Sequence, residues 1–422
     1  MPRTPDAPVR TTLGNGLTVL CAGRPAAPVV AVLILYRAGS ARDPDGLKGL
    51  AHLAEHMMFR GTSRFPDGTI DDLTNGLGGV NNAVTTHDYT AYYFVLPREN
   101  WRVALELEAD RMSNCLLDVS AFDSERNIAI EERQMLDDEP ESVLDEALEN
   151  LAYERHPYRF PVVGLVPDLR RASASDLRAF YRTHYRPSNA VLAVAGAAEP
   201  EEVERVAREA FRTERSGGSA AGGLSRFPEV APEPRQKAPR SVALRRESGI
   251  PRLMTAFHCP EATHADSPAL EVAAVLLGSG RSSRLYQRLV ASDGDVNDVS
   301  VCRLLQPYPG LFTVSAELSE GGSVEACEQD VLEELSRLAD VGPSTDELVR
   351  SKRLWRLDHA VGTETSLGLA GSLGFWELLG DWTLGDRFAE AVDSVTAEEV
   401  SRAVGAYLDP DVRNSAWMTI EG

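Results

Sequence analysis

Residues 173–196 read SASDLRAFYRTHYRPSNAVLAVAG, a pattern that predicts an amphipathic helix, a turn and an apolar strand. The same order returns at residues 396–420, which read TAEEVSRAVGAYLDPDVRNSAWMTI. The predicted helix N-caps of the two stretches, Ser173 and Thr396, lie 223 residues apart, and each precedes an acidic residue in the first helical turn. Two earlier apolar strands show the same offset of 223, at Pro28 and Pro251. Four elements in one order at one offset favour a duplicated fold.

A stretch rich in Gly, Ser and Pro at 212–240 has the composition of a linker. It predicts an N-terminal domain over 1–211 and a homologous C-terminal domain over 241–422. Strand-like and helix-like patterns are mixed within each half, so the predicted fold class is α+β with two duplicated domains. In the C-terminal domain the patterns predict helices at 267–277, 281–291, 323–340, 344–361 and 397–407.

The composition narrows the classes of partner. Asp and Glu together number 64 against 43 Lys and Arg, which gives a net charge of −21 and a pI near 4.9. Such a surface repels the phosphates of nucleic acid, so no nucleic-acid partner is expected and a basic peptide is favoured. No apolar run reaches the roughly 18 residues of a membrane span, so no membrane partner is expected either.

The cysteines and the first residues predict a cytoplasmic protein. The five cysteines are scattered and never spaced as Cys-x-x-Cys, which argues against a disulfide framework and against a thiolate zinc site. The opening residues hold no apolar segment before a small-residue cleavage site, so no secretory signal is expected. The preference for Arg over Lys is typical of GC-rich codon usage, and a bacterial source is expected.

The stretch GLAHLAEHMMFRGT at 49–62 contains the candidate catalytic and metal-binding residues. His52 and His56 lie four residues apart in a helical pattern, so both imidazoles project from one face, a spacing that suits two ligands of one zinc ion. Glu55 leaves the same side of the helix, close enough to take a proton from water at such a metal. The alternative is a pair of partly exposed surface histidines, but leucines and Met57 already supply the core face of this helix.

A catalytic zinc site needs a third protein ligand, and the acidic helical stretch at 122–142 is the candidate. Glu125 and Glu132 are seven residues apart, two helical turns, so they share one face of that helix. Glu131 competes with Glu132 on equal terms, because the residues alone do not show which of the two faces the histidines. A solvated acidic helix with no ligand remains a further alternative.

These residues together make the chain resemble the pitrilysin/insulinase class of zinc peptidases, the inverzincins. Within that class it is similar to the short-chain branch, which includes the mitochondrial processing peptidase and bacterial relatives. The resemblance covers nearly the whole chain, in the family's order and spacing. It is carried by NGLTVL, GSARDPDGLKGLAHLAEHMMFRGT, LGGVNNAVTTHDYTAYYFVLP, ERNIAIEERQMLDDEP, HPYRFPVVG, YRPSNAVLAVAG and LLGSGRSSRLYQRL.

The resemblance implies a set of roles for the metal site. One zinc ion per chain would be held by His52, His56 and Glu132, because Glu132 stands where the family places its third ligand. Glu55 would be the catalytic base. Glu125 would contribute to catalysis indirectly, by supporting the metal ligands without binding the metal itself.

The resemblance also implies how a substrate is bound. GGVNNAVTT would form an edge strand that receives an extended peptide, with Asn82 and Ala83 at the backbone-binding positions. Each domain would be a mostly antiparallel sheet covered by helices. The two domains would form one half of a clamshell-like chamber.

The chain departs from the family in its second half. Members that act alone follow the LLGSGRSSRLYQRL stretch with an Arg and, seven residues later, a Tyr that reach the substrate. The matching positions here hold Val290 and Asn297. We therefore expect a heterodimer with a paralogous subunit that supplies the Arg/Tyr pair. The alternative is that loops of this chain bring other residues, such as Arg303 or Tyr308, over the site.

Three classes of function follow from these residues. The leading prediction is a zinc-dependent endopeptidase that cleaves peptides or leader segments and becomes active with its partner subunit. A non-catalytic scaffold of the same fold is disfavoured, because a scaffold has no use for a base beside two metal ligands. A subunit that captures extended peptides without cleaving them is the third class.

Overall fold

A computed structural model describes residues 7–212, 227, 230–292 and 295–420. Its principal strands form two sheets, and helices pack against both of them. The α+β fold class predicted from the sequence is thereby confirmed. Most of the predicted linker at 212–240 lies outside the described residues, and the domain boundaries placed there stay predictions.

The first sheet is built from β1 Val9–Thr12, β2 Thr18–Gly23, β3 Val29–Tyr36, β4 Val80–Thr85, β5 Thr90–Pro97 and β6 Ala190–Gly196. Its strand order is β1-β2-β6-β3-β5-β4, and all neighbours are antiparallel except the parallel pair β2 and β6. Strands β3 and β6 are apolar and buried on both faces, as central strands require. Strand β4 stands at the sheet edge and alternates between exposed and half-buried residues.

The second sheet is built from β7 Arg240–Arg246, β8 Arg252–Cys259, β9 Val296–Arg303, β10 Gly310–Leu318 and β11 Asn414–Ile420. Its order is β7-β11-β8-β10-β9, with β7 and β11 parallel and the other pairs antiparallel. This order repeats the succession β2-β6-β3-β5-β4 of the first sheet, strand for strand along the chain. The repeated topology is what a duplication predicts.

The helices follow one another along the chain as α1 Leu50–Met58, α2 Thr69–Gly76, α3 Arg102–Asn114, α4 Val119–Asp138, α5 Pro140–Ala152, α6 Val166–Arg171, α7 Ala174–His184, α8 Pro200–Ala210, α9 Ser267–Gly278, α10 Val324–Val341, α11 Thr345–Gly362, α12 Ser366–Leu379, α13 Leu384–Ser394 and α14 Ala397–Tyr407. Capping boxes begin α7 at Ser173 and α14 at Thr396, as the sequence predicts. No helix in the described part of the chain combines the length and the apolarity needed to cross a membrane.

Compact units in the structure are not contiguous along the chain. Among the described residues, one unit lies within Met1–Gln134, Pro161–Glu229 and Val361–Gly385, and the other within Met135–Phe160, Val230–Ala360 and Asp386–Gly422. Helix α12, which follows the second sheet's strands β7 to β10 in the chain, therefore belongs to the unit of the first sheet. Helix α5 belongs to the unit of the second sheet. Each half of the sequence thus contributes a covering helix to the other half's sheet.

Apolar side chains explain this exchange. In the first unit, Leu373 of α12 packs in one buried cluster with Leu33 and Leu35 of β3. In the second unit, Leu144 and Leu148 of α5 are buried in one cluster with residues of β8 and β11. Burying such side chains stabilises each sheet by roughly 1.5–3 kcal/mol per residue relative to leaving them in water.

Candidate metal centre

Helix α1 is fixed at its N-terminal end by a buried carboxylate. Asp43 accepts hydrogen bonds from the backbone N–H groups of Gly49 at 2.7 Å and of Ala51 at 2.8 Å. The first backbone N–H groups of a helix have no partner within the helix, so the carboxylate of Asp43 caps the N-terminus of α1. Gly49 has a φ of +100°, and a Cβ at this position would lie 2.5 Å from the carbonyl oxygen of Val163. The entry of the chain into α1 is therefore tightly constrained.

His52 and His56 stand one helical turn apart on α1, on the face that is not packed into the core. Their Nε2 atoms lie 3.3 Å from each other. The face that is packed into the core carries Leu50, Leu53, Ala54 and Met57. Helix α1 therefore has one face packed into the core and another that carries the histidines, as the sequence predicts.

Glu132 approaches the two histidines from α4. Its Oε2 lies 3.7 Å from Nε2 of His52 and 3.6 Å from Nε2 of His56. The neighbouring Glu131 is exposed and does not join this group. Among the described residues, His52, His56 and Glu132 form the one group of three side chains that could hold a metal ion.

The three ligand atoms fit a zinc ion. A tetrahedral ion with bonds of about 2.0–2.1 Å keeps its ligand atoms about 3.3–3.4 Å apart, close to the separations of 3.3, 3.6 and 3.7 Å found here. Burial, followed by the nearby His56, lowers the pKa of His52 to about 4. His52 is therefore neutral at pH 7, the form in which an imidazole binds a metal.

Glu125 lies behind His56, on the side away from the ligand group. Its Oε2 is 2.9 Å from Nδ1 of His56, and its Oε1 accepts a hydrogen bond of 2.6 Å from Nε of Arg60. Arg60 also reaches Asp67, with 3.2 Å between Nη1 and the carboxylate. The carboxylate thus holds the proton of His56 on Nδ1, which leaves the lone pair of Nε2 facing His52 and Glu132.

Glu55 stands beside the ligands and is held by the end of strand β4. Its Oε2 accepts a hydrogen bond from the hydroxyl of Thr85. Burial raises the pKa of Glu55, while the hydrogen bond from Thr85 and the nearby His56 act in the opposite direction. A carboxylate in this environment is suited to accept and return a proton.

Asn82 and Ala83 lie in β4, which ends the first sheet. On its inner side this strand pairs with β5, where Asn82 stands opposite Tyr93 and Ala83 opposite Tyr92. On its outer side no further strand of the described residues pairs with it. The backbone N–H of Ala83 is covered by the side-chain oxygen of Asn82, at 2.8 Å.

An open cavity of about 430 Å³ lies beside the ligand group, between α1, α2 and β4. Four carboxylates line it, and they belong to Glu55, Asp67, Asp71 and Glu125. Arg60 is the one arginine or lysine among the described residues that line the cavity, and it contacts two of those carboxylates. The cavity therefore keeps an acidic excess next to the candidate metal site.

In the second unit, Asn297 occupies the position at which the family resemblance places a Tyr. Its Nδ2 donates to the carbonyl oxygen of Leu318 at 3.2 Å, and its Oδ1 accepts from the hydroxyl of Ser319 at 2.9 Å. Two nearby arginines are held by carboxylates of the same unit. Arg284 binds Glu334 and Glu347, whereas Arg288 binds Asp330 and Glu333.

The alternative residues named from the sequence are also engaged inside the second unit. The guanidinium of Arg303 is buried and contacts Glu271 at 2.8 Å, the carbonyl oxygen of Pro260 at 2.9 Å and the hydroxyl of Ser267 at 2.8 Å. Tyr308 packs with the ring of His156, with 5.3 Å between the ring centroids. These contacts argue against Arg303 as the missing group.

Two residues at the site were not predicted from the sequence. Arg60 lies four residues after His56 and just beyond the end of α1 at Met58, so helical spacing does not fix its direction. Thr85 follows the two predicted peptide-binding residues in β4, and no feature of its own sequence context points to Glu55. Its contact depends on how α1 lies against the sheet.

Two sheets of matching topology covered by helices, with a His–His–Glu group and a further glutamate on helices α1 and α4, characterise a metallopeptidase fold. The chain belongs to peptidase family M16, the insulinase family. Residues 18–164 match the family model "Insulinase (Peptidase family M16)", and residues 171–354 match "Peptidase M16 inactive domain".

Similar proteins extend over most of the chain. The zinc protease PqqE of Helicobacter pylori is 27% identical over 369 residues, which cover 85% of this chain and 81% of that protein. The probable mitochondrial-processing peptidase subunit beta of Arabidopsis thaliana is 28% identical over 427 residues, covering 96% of this chain and 77% of that protein. The crystal structure of a protease from Helicobacter pylori superposes with a TM-score of 0.92 at 25% identity, covering 99% of this chain and 100% of that one.

Proposed function

We propose that this chain is a zinc-dependent endopeptidase that hydrolyses peptides or leader segments. The observation that carries the proposal is the convergence of His52, His56 and Glu132 with Glu55 beside them. Relatives named zinc proteases, among them PqqE of Helicobacter pylori, support the same activity.

Strand β4 supplies the surface for the substrate in this proposal. An extended peptide adds to the free outer side of the strand at Asn82 and Ala83, and main-chain hydrogen bonds give an affinity that depends little on sequence. The side chain of Asn82 must then turn away from the N–H of Ala83 to release that donor. The acidic cavity beside β4 and the net charge of −21 favour peptides that carry basic residues.

Each side chain of the site has a distinct task. His52, His56 and Glu132 would hold one zinc ion per chain, which acts as a Lewis acid on the attacking water and on the scissile carbonyl. Glu55 takes a proton from the water on its carboxylate and returns it to the nitrogen of the leaving amine, so the protons balance over one turnover. Glu125 keeps His56 in the required tautomer.

A partner subunit is the second element of the proposal. Val290 and Asn297 offer no Arg/Tyr pair for the developing oxyanion, and Arg284 and Arg288 are held by carboxylates of their own unit. We infer that a paralogous subunit supplies the pair. The relative from Arabidopsis thaliana is itself named as a subunit, which supports this inference. A cytoplasmic location and a bacterial source stay predictions from the sequence.

A library of quenched-fluorescence peptides tests the proposal. The zinc-loaded chain is assayed alone and with a paralogous chain that has Arg and Tyr seven residues apart and lacks His-x-x-Glu-His. We expect cleavage that requires zinc, that increases at least about tenfold with the partner, and that prefers basic over acidic peptides.

Two other outcomes distinguish the peptidase activity from the partner requirement. Full cleavage by the isolated chain would contradict the partner requirement and leave the peptidase activity intact. Stoichiometric zinc and bound peptide without cleavage in either mixture would favour peptide capture as the function.

A further inference from the structure

Thr85 is the last residue of β4, and its side chain contacts the carboxylate of Glu55. Its hydroxyl donates a hydrogen bond to Oε2 of Glu55. One residue of the sheet edge therefore holds the carboxylate that α1 carries.

The single hydroxyl proton of Thr85 is directed to Glu55. Two oxygens lie within reach of it, one on Glu55 and one on Thr90, whose Oγ1 is 3.2 Å away. The hydroxyl of Thr90 donates its own hydrogen bond to the carbonyl oxygen of Ala38, at 2.7 Å. A carboxylate accepts a stronger, charge-assisted hydrogen bond than a hydroxyl does, so Thr85 donates to Glu55.

Pairing with β5 sets the position of Thr85. Thr85 stands opposite Thr90 in the sheet, and Thr90 is fully buried and held by the carbonyl oxygen of Ala38. This buried cross-strand neighbour fixes the end of β4 and, through Thr85, the position of Glu55.

Glu55 depends on this contact because, among the described residues, the hydroxyl of Thr85 is the hydrogen-bond donor to its carboxylate. The nearby His56 attracts the carboxylate and Glu132 repels it. The side chain of Glu55 turns about three bonds, so loss of the Thr85 contact would release it from one position into several. A displacement of about 1 Å at a reacting group is enough to slow a reaction by roughly a hundredfold.

We propose that Thr85 is the positioning residue for the base Glu55 and that it ties the base to the strand that receives the peptide. The inference rests on the proposed peptidase function. Asn82 and Ala83 lie three and two residues before Thr85 in the same strand. The peptide and the base are thus held by one rigid element, which sets the distance between the scissile bond and the group that moves the proton.

Three variants test this inference. Thr85→Val keeps the shape of the side chain and removes the hydroxyl, whereas Thr85→Ser keeps the hydroxyl. Thr86→Val is the matched control, because the hydroxyl of Thr86 bonds Tyr89 and Asp88 in the adjacent turn and not Glu55. Thr85→Ala replaces Thr85→Val if the valine variant does not fold.

Crystal structures of the zinc-free variants provide a readout that does not depend on turnover. We expect Glu55 to adopt one rotamer in wild type, Thr85→Ser and Thr86→Val. In all three proteins its carboxylate should accept a hydrogen bond from the hydroxyl of residue 85. Thr85→Val is expected to show Glu55 displaced or spread over several rotamers. A Glu55 that keeps its rotamer in Thr85→Val, or that loses it in Thr85→Ser, would overturn the proposal whatever the activity.

Turnover and zinc content provide the second readout, measured in whichever mixture supports cleavage by wild type. Thr85→Val is expected to keep stoichiometric zinc. Its kcat should fall roughly 10–100-fold, with a KM within about twofold of wild type. Thr85→Ser should recover most of the lost kcat. Equal kcat in Thr85→Val and wild type would contradict the positioning role alone. No cleavage by wild type would refute the proposed function, and the crystal structures would still decide the role of Thr85.

Discussion

Oε2 of Glu125 lies 2.9 Å from Nδ1 of His56. Arg60 contacts the other oxygen of this carboxylate, at 2.6 Å from its Nε. The carboxylate is thereby held between a guanidinium and an imidazole, and its orientation determines which nitrogen of His56 carries the proton. The candidate site thus includes a buried residue that lies outside the group of possible metal ligands.

Glu125→Gln is expected to weaken zinc binding by about 10–100-fold, because an amide oxygen is a poorer acceptor for the Nδ1 proton than a carboxylate. A competition titration with a chelator of known zinc affinity measures the change. Glu131→Gln is the control on the same helix, since its exposed side chain does not belong to the ligand group. An affinity within about twofold of wild type for Glu125→Gln would contradict this role.

Zinc content identifies the ligands. Removing a ligand leaves a site with too few donors, so His56→Ala and Glu132→Gln are expected to purify with far less than one zinc per chain, and Glu131→Gln with as much as wild type. Elemental analysis after dialysis measures the metal. The ligand assignment is wrong if both ligand variants retain stoichiometric zinc.

The exchange of covering helices has a measurable consequence for stability. Leu373 is 7% exposed and packs on the first sheet, although it comes late in the chain. Leu373→Ala is expected to destabilise the first unit by about 2–5 kcal/mol, because it opens a cavity under β3. Hydrogen exchange should show a larger loss of protection in β3 than in β8.

Leu357→Ala is the control for that experiment. Leu357 is 56% exposed on α11, so its truncation is expected to change the free energy of unfolding by less than about 0.5 kcal/mol. Equal loss of protection in both sheets with Leu373→Ala would contradict the assignment of α12 to the first unit.

Acid is expected to weaken the second unit through Glu347. Hydrogen bonds from Arg284 hold the pKa of Glu347 at about 2, below its ordinary value of 4.5. The ionised carboxylate therefore stabilises the folded state above pH 4.5, and this contribution is lost as the pH falls toward 2. Urea unfolding of the zinc-free protein at several pH values should show a steeper decline for wild type than for Glu347→Gln. Parallel curves would contradict the prediction.

Helical spacing explains how much of the site could be predicted. Because residues four apart share a helix face, His52 and His56 could be recognised as a pair, and two full turns placed Glu125 and Glu132 together. Periodicity alone left Glu131 and Glu132 equal, since adjacent residues differ by only about 100° around a helix. The choice depends on where α4 lies relative to α1, which is a tertiary property.

Parts of the fold were not predictable from local pattern. Helix α12 reads SLGLAGSLGFWELL, apolar on most sides and rich in glycine, and such a segment lacks the polar stripe that identifies a surface helix. The helix predicted at 281–291 is shorter in the structure, because 281–283 form a turn, 284–285 are α-helical and Tyr286–Val290 form a π-helical turn. Thr85 gained its place at the site through packing between α1 and the sheet.

In the proposed function, Glu55 is the base of a zinc peptidase. The rate of peptide cleavage is compared for wild type and Glu55→Gln, both loaded to the same zinc content and assayed with the same partner. We predict that Glu55→Gln binds zinc and peptide as wild type does and cleaves about 10²–10⁴-fold more slowly. Equal rates for the two proteins, or no zinc-dependent cleavage by wild type, would contradict the claim.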